Sequence, residues 1–283
     1  MNNKRVNMII SIVLFSIIMI PTFIFADSID SENKNSTLCF GADLTDAQRS
    51  EVLKFFGFKN MDDIKIIEVT NQEERQYLGE YIDSSKIGSR AISSAYVEKL
   101  KLGAGITVDL HNITWVTEEM YKNAAITAGI EDAKIIVASP FDVSGTSALT
   151  GIIKSFEDIT GKKIQEEIKD LANQEMAIMG ELKDTIGDKK TIEFIVKAKK
   201  EILKNDYSGS GDIKEAVEKI IKELNLDLNK QDIQKIIDFL TKLSKTNIDK
   251  EGILENIKSI KIESNFLKDI IEIIKAFFTK IFG

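Results

Sequence analysis

Apolar positions recur with different periods along this chain, and each change of period predicts an element. Val52, Leu53, Phe55 and Phe56 fall at helical spacing after Thr45-Asp46-Ala47-Gln48, a capping-box sequence in which Thr45 accepts from the Gln48 amide and Gln48 reaches back. Gly57 ends that helix. Residues 64–69 read as a strand from their Ile and Val content, and Asn71 begins a short helix over 72–78. Residues 93–100 and 106–113 alternate as strands about Gly103-Ala104-Gly105, which predicts a hairpin. Thr117 caps a helix through Ala128, with Glu118 and Glu119 in the first turn where the helix dipole favours them, and Gly129 ends it. Residues 133–139 are almost continuously apolar, the pattern of a strand buried on both faces. Ser144 then opens a helix that runs to Thr160 and stops at Gly161.

Beyond Gly161 the period is helical throughout and proline is absent. Ile164, Ile168, Leu171, Met176, Met179 and Leu182 form one stripe; Ile192, Ile195, Val196, Ile202 and Leu203 form another. Ser208-Gly209-Ser210-Gly211 reads as a hinge, followed by amphipathic segments over 213–224, 230–243 and 265–282. The order of elements predicts an α+β fold. A small α/β sandwich comes first, with strands and helices in ferredoxin-like order and helices on one face of one sheet; an all-helical region follows. The expected boundaries are a signal peptide over 1–26, a flexible lead over 27–37, an α/β domain over 38–161, a helical extension over 162–207, a hinge over 208–211 and a C-terminal helical region over 212–283.

The two ends add location. Lys4 and Arg5, the apolar run 8–20, Pro21 and Ala26 have the layout of a secretory signal peptide cleaved after Ala26. Uncleaved, residues 8–25 are long enough to anchor the chain, with the folded part again outside the cytoplasm. At the other end, Phe266, Leu267, Ile270, Ile271, Ile273, Ile274, Phe277, Phe278, Ile281 and Phe282 form a wide apolar face. Its lysines are balanced by acids, so packing into the helical region is expected rather than a membrane contact through Phe266 to Phe282. The net charge is -7, and the acidic excess falls before Gly161. That speaks against nucleic acid as a partner, because phosphate binding needs a basic face.

Chemistry is sparse. Cys39 is the one cysteine and His111 the one histidine, so a Cys/His zinc site is excluded and no internal disulfide can form. No phosphate loop, dinucleotide fingerprint or calcium loop is present, and no cofactor is expected. Alternation puts Thr107, Asp109 and His111 on one strand face, where Asp109 could orient His111 as a base. Gly145-Thr146-Ser147-Ala148 resembles the nucleophile segment of subtilisin-like proteases, but that family's other two segments are missing, and Leu149 breaks the esterase elbow. No catalytic residue is therefore assigned. Ser144, Gly145, Thr146 and Ser147 remain as ligand-binding candidates, since a helix start can hold an anion. The simpler alternative is that Ser144 caps the helix and the small residues allow close packing.

Several segments carry a resemblance. Gly41-Ala42-Asp43-Leu44-Thr45, Asn71-Gln72-Glu73-Glu74-Arg75-Gln76-Tyr77-Leu78, Ile87-Gly88-Ser89-Arg90-Ala91-Ile92-Ser93-Ser94 and the run 113–157 resemble successive blocks of the YpuA-like family of secreted proteins of Gram-positive bacteria, a domain of unknown function. The resemblance spans about residues 40–203 and implies export and a shared fold, with no activity and no catalytic residues to carry over. The expected function is that of an exported extracellular or cell-envelope protein, a non-enzymatic binding or structural module with a protein or cell-wall partner. The alternatives are an extracellular hydrolase using Asp109, His111 and the 144–147 loop, and a membrane-surface protein held by either end.

Overall fold

The structure, a computed structural model, describes residues 35–58, 64–205, 207 and 209–260, all within one compact unit, Asn33–Gly283. The signal-peptide segment and the amphipathic segment 265–282 lie outside the described residues. Five strands form one sheet: β1 (Ser36–Gly41), β2 (Lys65–Val69), β3 (Ser94–Lys99), β4 (Thr107–Ile113) and β5 (Ala133–Val143). Between them run α1 (Asp46–Phe56), α2 (Asn71–Leu78), the single turn α3 (Ser84–Ile87) and α4 (Glu118–Thr127). After β5 come α5 (Thr146–Thr160), α6 (Glu166–Ile186), α7 (Asp188–Lys204), α8 (Ser210–Glu223), α9 (Lys230–Lys245) and α10 (Lys250–Ile257). The chain is thus an α/β sheet region followed by helices, and the expected capping box at Thr45 is present with both of its bonds.

The lateral strand order is β2-β1-β3-β5-β4, which corrects three expectations. β3 and β4 do not pair as a hairpin. β5 lies between them, antiparallel to β3 and parallel to β4, because its apolar run can be buried on both faces and takes an interior place. Gly103-Ala104-Gly105 is still a turn, held by the Gly105 amide donating to Asp132 Oδ1 at 2.7 Å. The ferredoxin-like order therefore survives along the chain but not across the sheet. Helices also cover both faces instead of one. α1 packs Val52, Leu53 and Phe56 on Leu38, Phe40, Tyr96 and Ile136, while α4 and α5 cover Ala95, Val97, Ile135 and Val137. The alternation within β3 and β5 divides these two cores residue by residue.

Residues 36 and 37, expected as part of a flexible lead, belong to a strand instead. Ser36 and Thr37 are buried in β1, an interior strand, and the Thr37 hydroxyl donates to Asp158 Oδ2 at 2.9 Å. Their polarity is matched by partners inside the fold, so it does not signal a solvated segment. Further along β1, Cys39 is fully buried, and its Sγ lies 3.1 Å from where a Cβ on Gly151 of α5 would stand. Burial pushes this thiol up to about 12. In the expected hinge, Ser210 and Gly211 are the first residues of α8, whose Ile213, Val217 and Ile220 join the same core as α7 and α9. A short helix, α10, follows at 250–257, where no separate element was expected.

Three polar side chains meet in the middle of the helical layer. The Lys199 ammonium of α7 donates to Glu175 Oε1 of α6 and to the Thr127 hydroxyl of α4, each at 2.7 Å. The Thr127 hydroxyl donates in turn to Glu175 Oε2. All three residues are at most 1% exposed.

Candidate functional site

β1, β2, β4 and β5 run in one direction and β3 opposes them, so four strands end at the edge where β3 begins. Ligand clefts of open α/β sheets lie at that carboxyl edge. Here α5 starts directly after β5, and Gly145 occupies its cap position with φ 95°. A Cβ on Gly145 would meet Ile113 Cγ2 and the Tyr121 hydroxyl oxygen, both at 2.6 Å, so the position admits only glycine. Ser144 is not the cap. Its hydroxyl pairs with that of Thr146 at 3.1 Å. Ser147 is buried, and its hydroxyl lies 2.6 Å from the Ser93 hydroxyl and also donates to the Ser93 carbonyl. The Ala148 amide donates to Ser93 Oγ at 3.1 Å, which fastens the start of α5 to the start of β3.

The four expected ligand-binding residues, Ser144, Gly145, Thr146 and Ser147, line one side of a cleft of about 450 Å3. The lining also includes Glu74 of α2, the 85–90 segment and Trp115. Lys86 lies 4.5 Å above the Trp115 ring and bridges to Asp184 at 2.7 Å. Arg90 is exposed at the rim, as is Phe141. Glu74 differs from the rest in being an acid only 1% exposed. Burial pushes its carboxyl up to about 7, against the opposing bonds from Thr146 and from Asn71, the latter at 3.0 Å. This group changes charge near neutrality inside the cleft.

The residues of the hydrolase alternative do not assemble. Asp109 and His111 do share a face, 3.4 Å apart, as the alternation predicted. The His111 ring, however, stacks on Phe55 of α1 with centroids 4.8 Å apart. That places it on the α1 side of the sheet, whereas Ser147 sits on α5, which covers the other side. A nucleophile and its base must be within hydrogen-bond reach, and here the sheet separates them. Among the described residues no group of three or more His, Cys, Asp or Glu side chains converges as a metal site.

A family model described as Protein of unknown function (DUF1002) matches residues 40–260. The chain belongs to this family. It is 36% identical over 274 residues to an uncharacterized protein of Bacillus subtilis (strain 168), YpuA, across 94% of this chain and 93% of that one. No solved structure matches it. The DUF1002 match runs past the expected hinge to the end of the described helices, in keeping with the packing of α8 and α9 on the earlier core. In this DUF1002 member the residues that sequence reasoning missed are Glu74, Lys86, Arg90, Ser93 and Trp115. Glu74 stands in the very polar helix Asn71–Leu78, and its one local signal is its place four residues before the buried Leu78.

Proposed function

We propose that this protein is an exported binding module that holds an anionic ligand in the cleft at the carboxyl edge of its sheet. The observation that carries this reading is the buried Glu74 carboxyl, bonded to Thr146 at the first turn of α5 and lining the cleft. The positive end of a fifteen-residue helix and Arg90 favour negative charge there. A protonated Glu74 adds a donor, and an ionised Glu74 repels. Export is supported by the N-terminal Lys4, Arg5 and apolar run ending at Ala26.

The test of the cleft uses inorganic phosphate as probe, followed by calorimetry at two pH values. Glu74 is mostly protonated at pH 6 and mostly ionised at pH 8, so binding should be roughly tenfold tighter at pH 6. Glu74→Gln should remove most of that pH dependence, after allowance for phosphate's own titration, and Arg90→Ala should weaken binding at both. Binding indifferent to both substitutions would sink the reading. Export is tested separately, by fractionating cells that express the full chain and sequencing the N-terminus. The expected product is found outside the cytoplasm and begins at Asp27; a product confined to the cytoplasm would refute export.

A further inference from the structure

At the edge of the sheet away from the cleft, where β3 ends and β5 begins, lies a groove of about 600 Å3. Leu100 and Leu102 line it from the turn after β3, and Phe156 and Ile164 from near the end of α5 and the link to α6. Leu100, Phe156 and Ile164 are half-buried, whereas Leu102 is 93% exposed. A single exposed leucine is ordinary on a protein surface, but this one borders a groove with three further apolar side chains. The turn that presents it is well held. The Asp132 side chain accepts from the Gly105 amide at 2.7 Å, the Asp132 carbonyl accepts from the Leu100 amide at 2.6 Å, and the Ala104 amide donates to the Lys101 carbonyl at 3.1 Å.

After α10 the chain is delivered to the same turn. Lys122 of α4 donates to the Ser259 carbonyl at 3.2 Å, and Ser259 Cβ lies 3.9 Å from where a Cβ on Gly105 would stand. Gly105 is three residues from Leu102, so their Cα atoms are within about 11 Å of each other. Ile260 is buried, and only residues 261–264 separate it from the apolar segment 265–282. Fully extended, those four residues span up to about 14 Å, which brings the start of the segment within reach of Leu102. At helical spacing the ten large apolar residues from Phe266 to Phe282 share one half of the circumference, and Lys268, Asp269, Glu272, Lys275 and Lys280 fall on the other. So short a tether gives the segment an effective concentration on the order of millimolar beside the groove, far above that of a second copy in dilute solution. Three lysines against two acids are a weak cationic bias for a membrane surface.

We propose that residues 265–282 of this chain dock in this groove, with their apolar face over Leu102, and so cover the α/β region rather than the helical one. The first test is hydrogen exchange of the full chain, read at the 265–282 amides. Leu102→Asp should speed their exchange about tenfold or more, while β3 and β5 keep their protection. Unchanged exchange in that variant would overturn the proposal. The second test, which decides alone should that variant fail to fold, is disulfide crosslinking under mild oxidation. Leu102→Cys is combined in turn with Ile270→Cys, Ile274→Cys and Glu272→Cys, and fully buried Cys39 stays out of the reaction. Positions 270 and 274 should crosslink to 102 within one chain about tenfold faster than position 272, which lies on the polar half. Three results would each sink the proposal: equal rates at the three positions, a crosslink joining two chains (a second copy in the groove), or loss of the crosslink as the full chain sediments with phosphatidylglycerol vesicles.

Discussion

Lys199→Met should lower the unfolding free energy by about 3–5 kcal/mol, measured by urea denaturation at neutral pH, because it leaves Glu175 as an unpaired buried acid. Methionine keeps most of the lysine volume, so the cost is one of charge and not of a cavity. Burial moves both members of the pair toward their neutral forms: the Lys199 ammonium is pushed below its ordinary range and the Glu175 carboxyl above its own. Their mutual attraction, with the Thr127 hydroxyl shared between them, opposes that shift. The double variant Glu175→Leu with Lys199→Met removes both charges and should recover most of the loss, since apolar replacement of a buried pair is often neutral or stabilising. A single variant as stable as the parent would show that Glu175 is satisfied without Lys199.

Glu74→Gln should stabilise the protein by as much as about 3 kcal/mol at pH 8 and by far less at pH 4.5, in buffer free of candidate ligands. The direction follows from linkage. The folded carboxyl titrates at about 7, above its ordinary value of 4.5, so the folded state holds this proton more tightly than the unfolded chain. The stability it contributes is complete below pH 4.5 and is lost as pH rises through about 7. Glutamine stays neutral throughout and so escapes that loss, while its side-chain oxygen can still accept from Asn71. Chemical denaturation of both proteins at the two pH values provides the comparison. A stability difference that does not change with pH would mean that Glu74 titrates as an ordinary surface acid. A protein that holds an uncomfortable acid in a cleft trades stability at neutral pH for a group able to respond to what enters.

How much of this was legible depended on how local each signal was. Thr45 and Thr117 were readable because a cap and its helix lie within a few residues of one another. β5 was readable as a buried strand, but its neighbours were not. The glycine turn at 103–105 suggested pairing β3 with β4, and only the full sheet shows β5 winning that place from more than thirty residues along the chain. β1 was obscured by Ser36 and Thr37, whose partners include Asp158, far away in sequence. In the cleft, residues 144–147 could be found because they open a helix, whereas Glu74 and Arg90 reach it only through tertiary packing. The buried charge cluster did leave a trace. Glu175 lies between Leu171 and Met179 at four-residue spacing, and Lys199 follows Ile195 in the same way, so each charge interrupts an apolar stripe. A charge at such a position either breaks the helix's core face or has a partner inside.

Cys39 has a practical consequence. Thiol reagents attack the thiolate, and this sulfur is protonated, fully buried and pressed against the Gly151 turn of α5. A label can reach it only after α5 has left β1, which also dismantles the core on that side of the sheet. The chain therefore carries its own gauge of large-scale opening. Because this is the only cysteine, the rate of its modification reads out that single event, without an engineered probe and without interference from a second site.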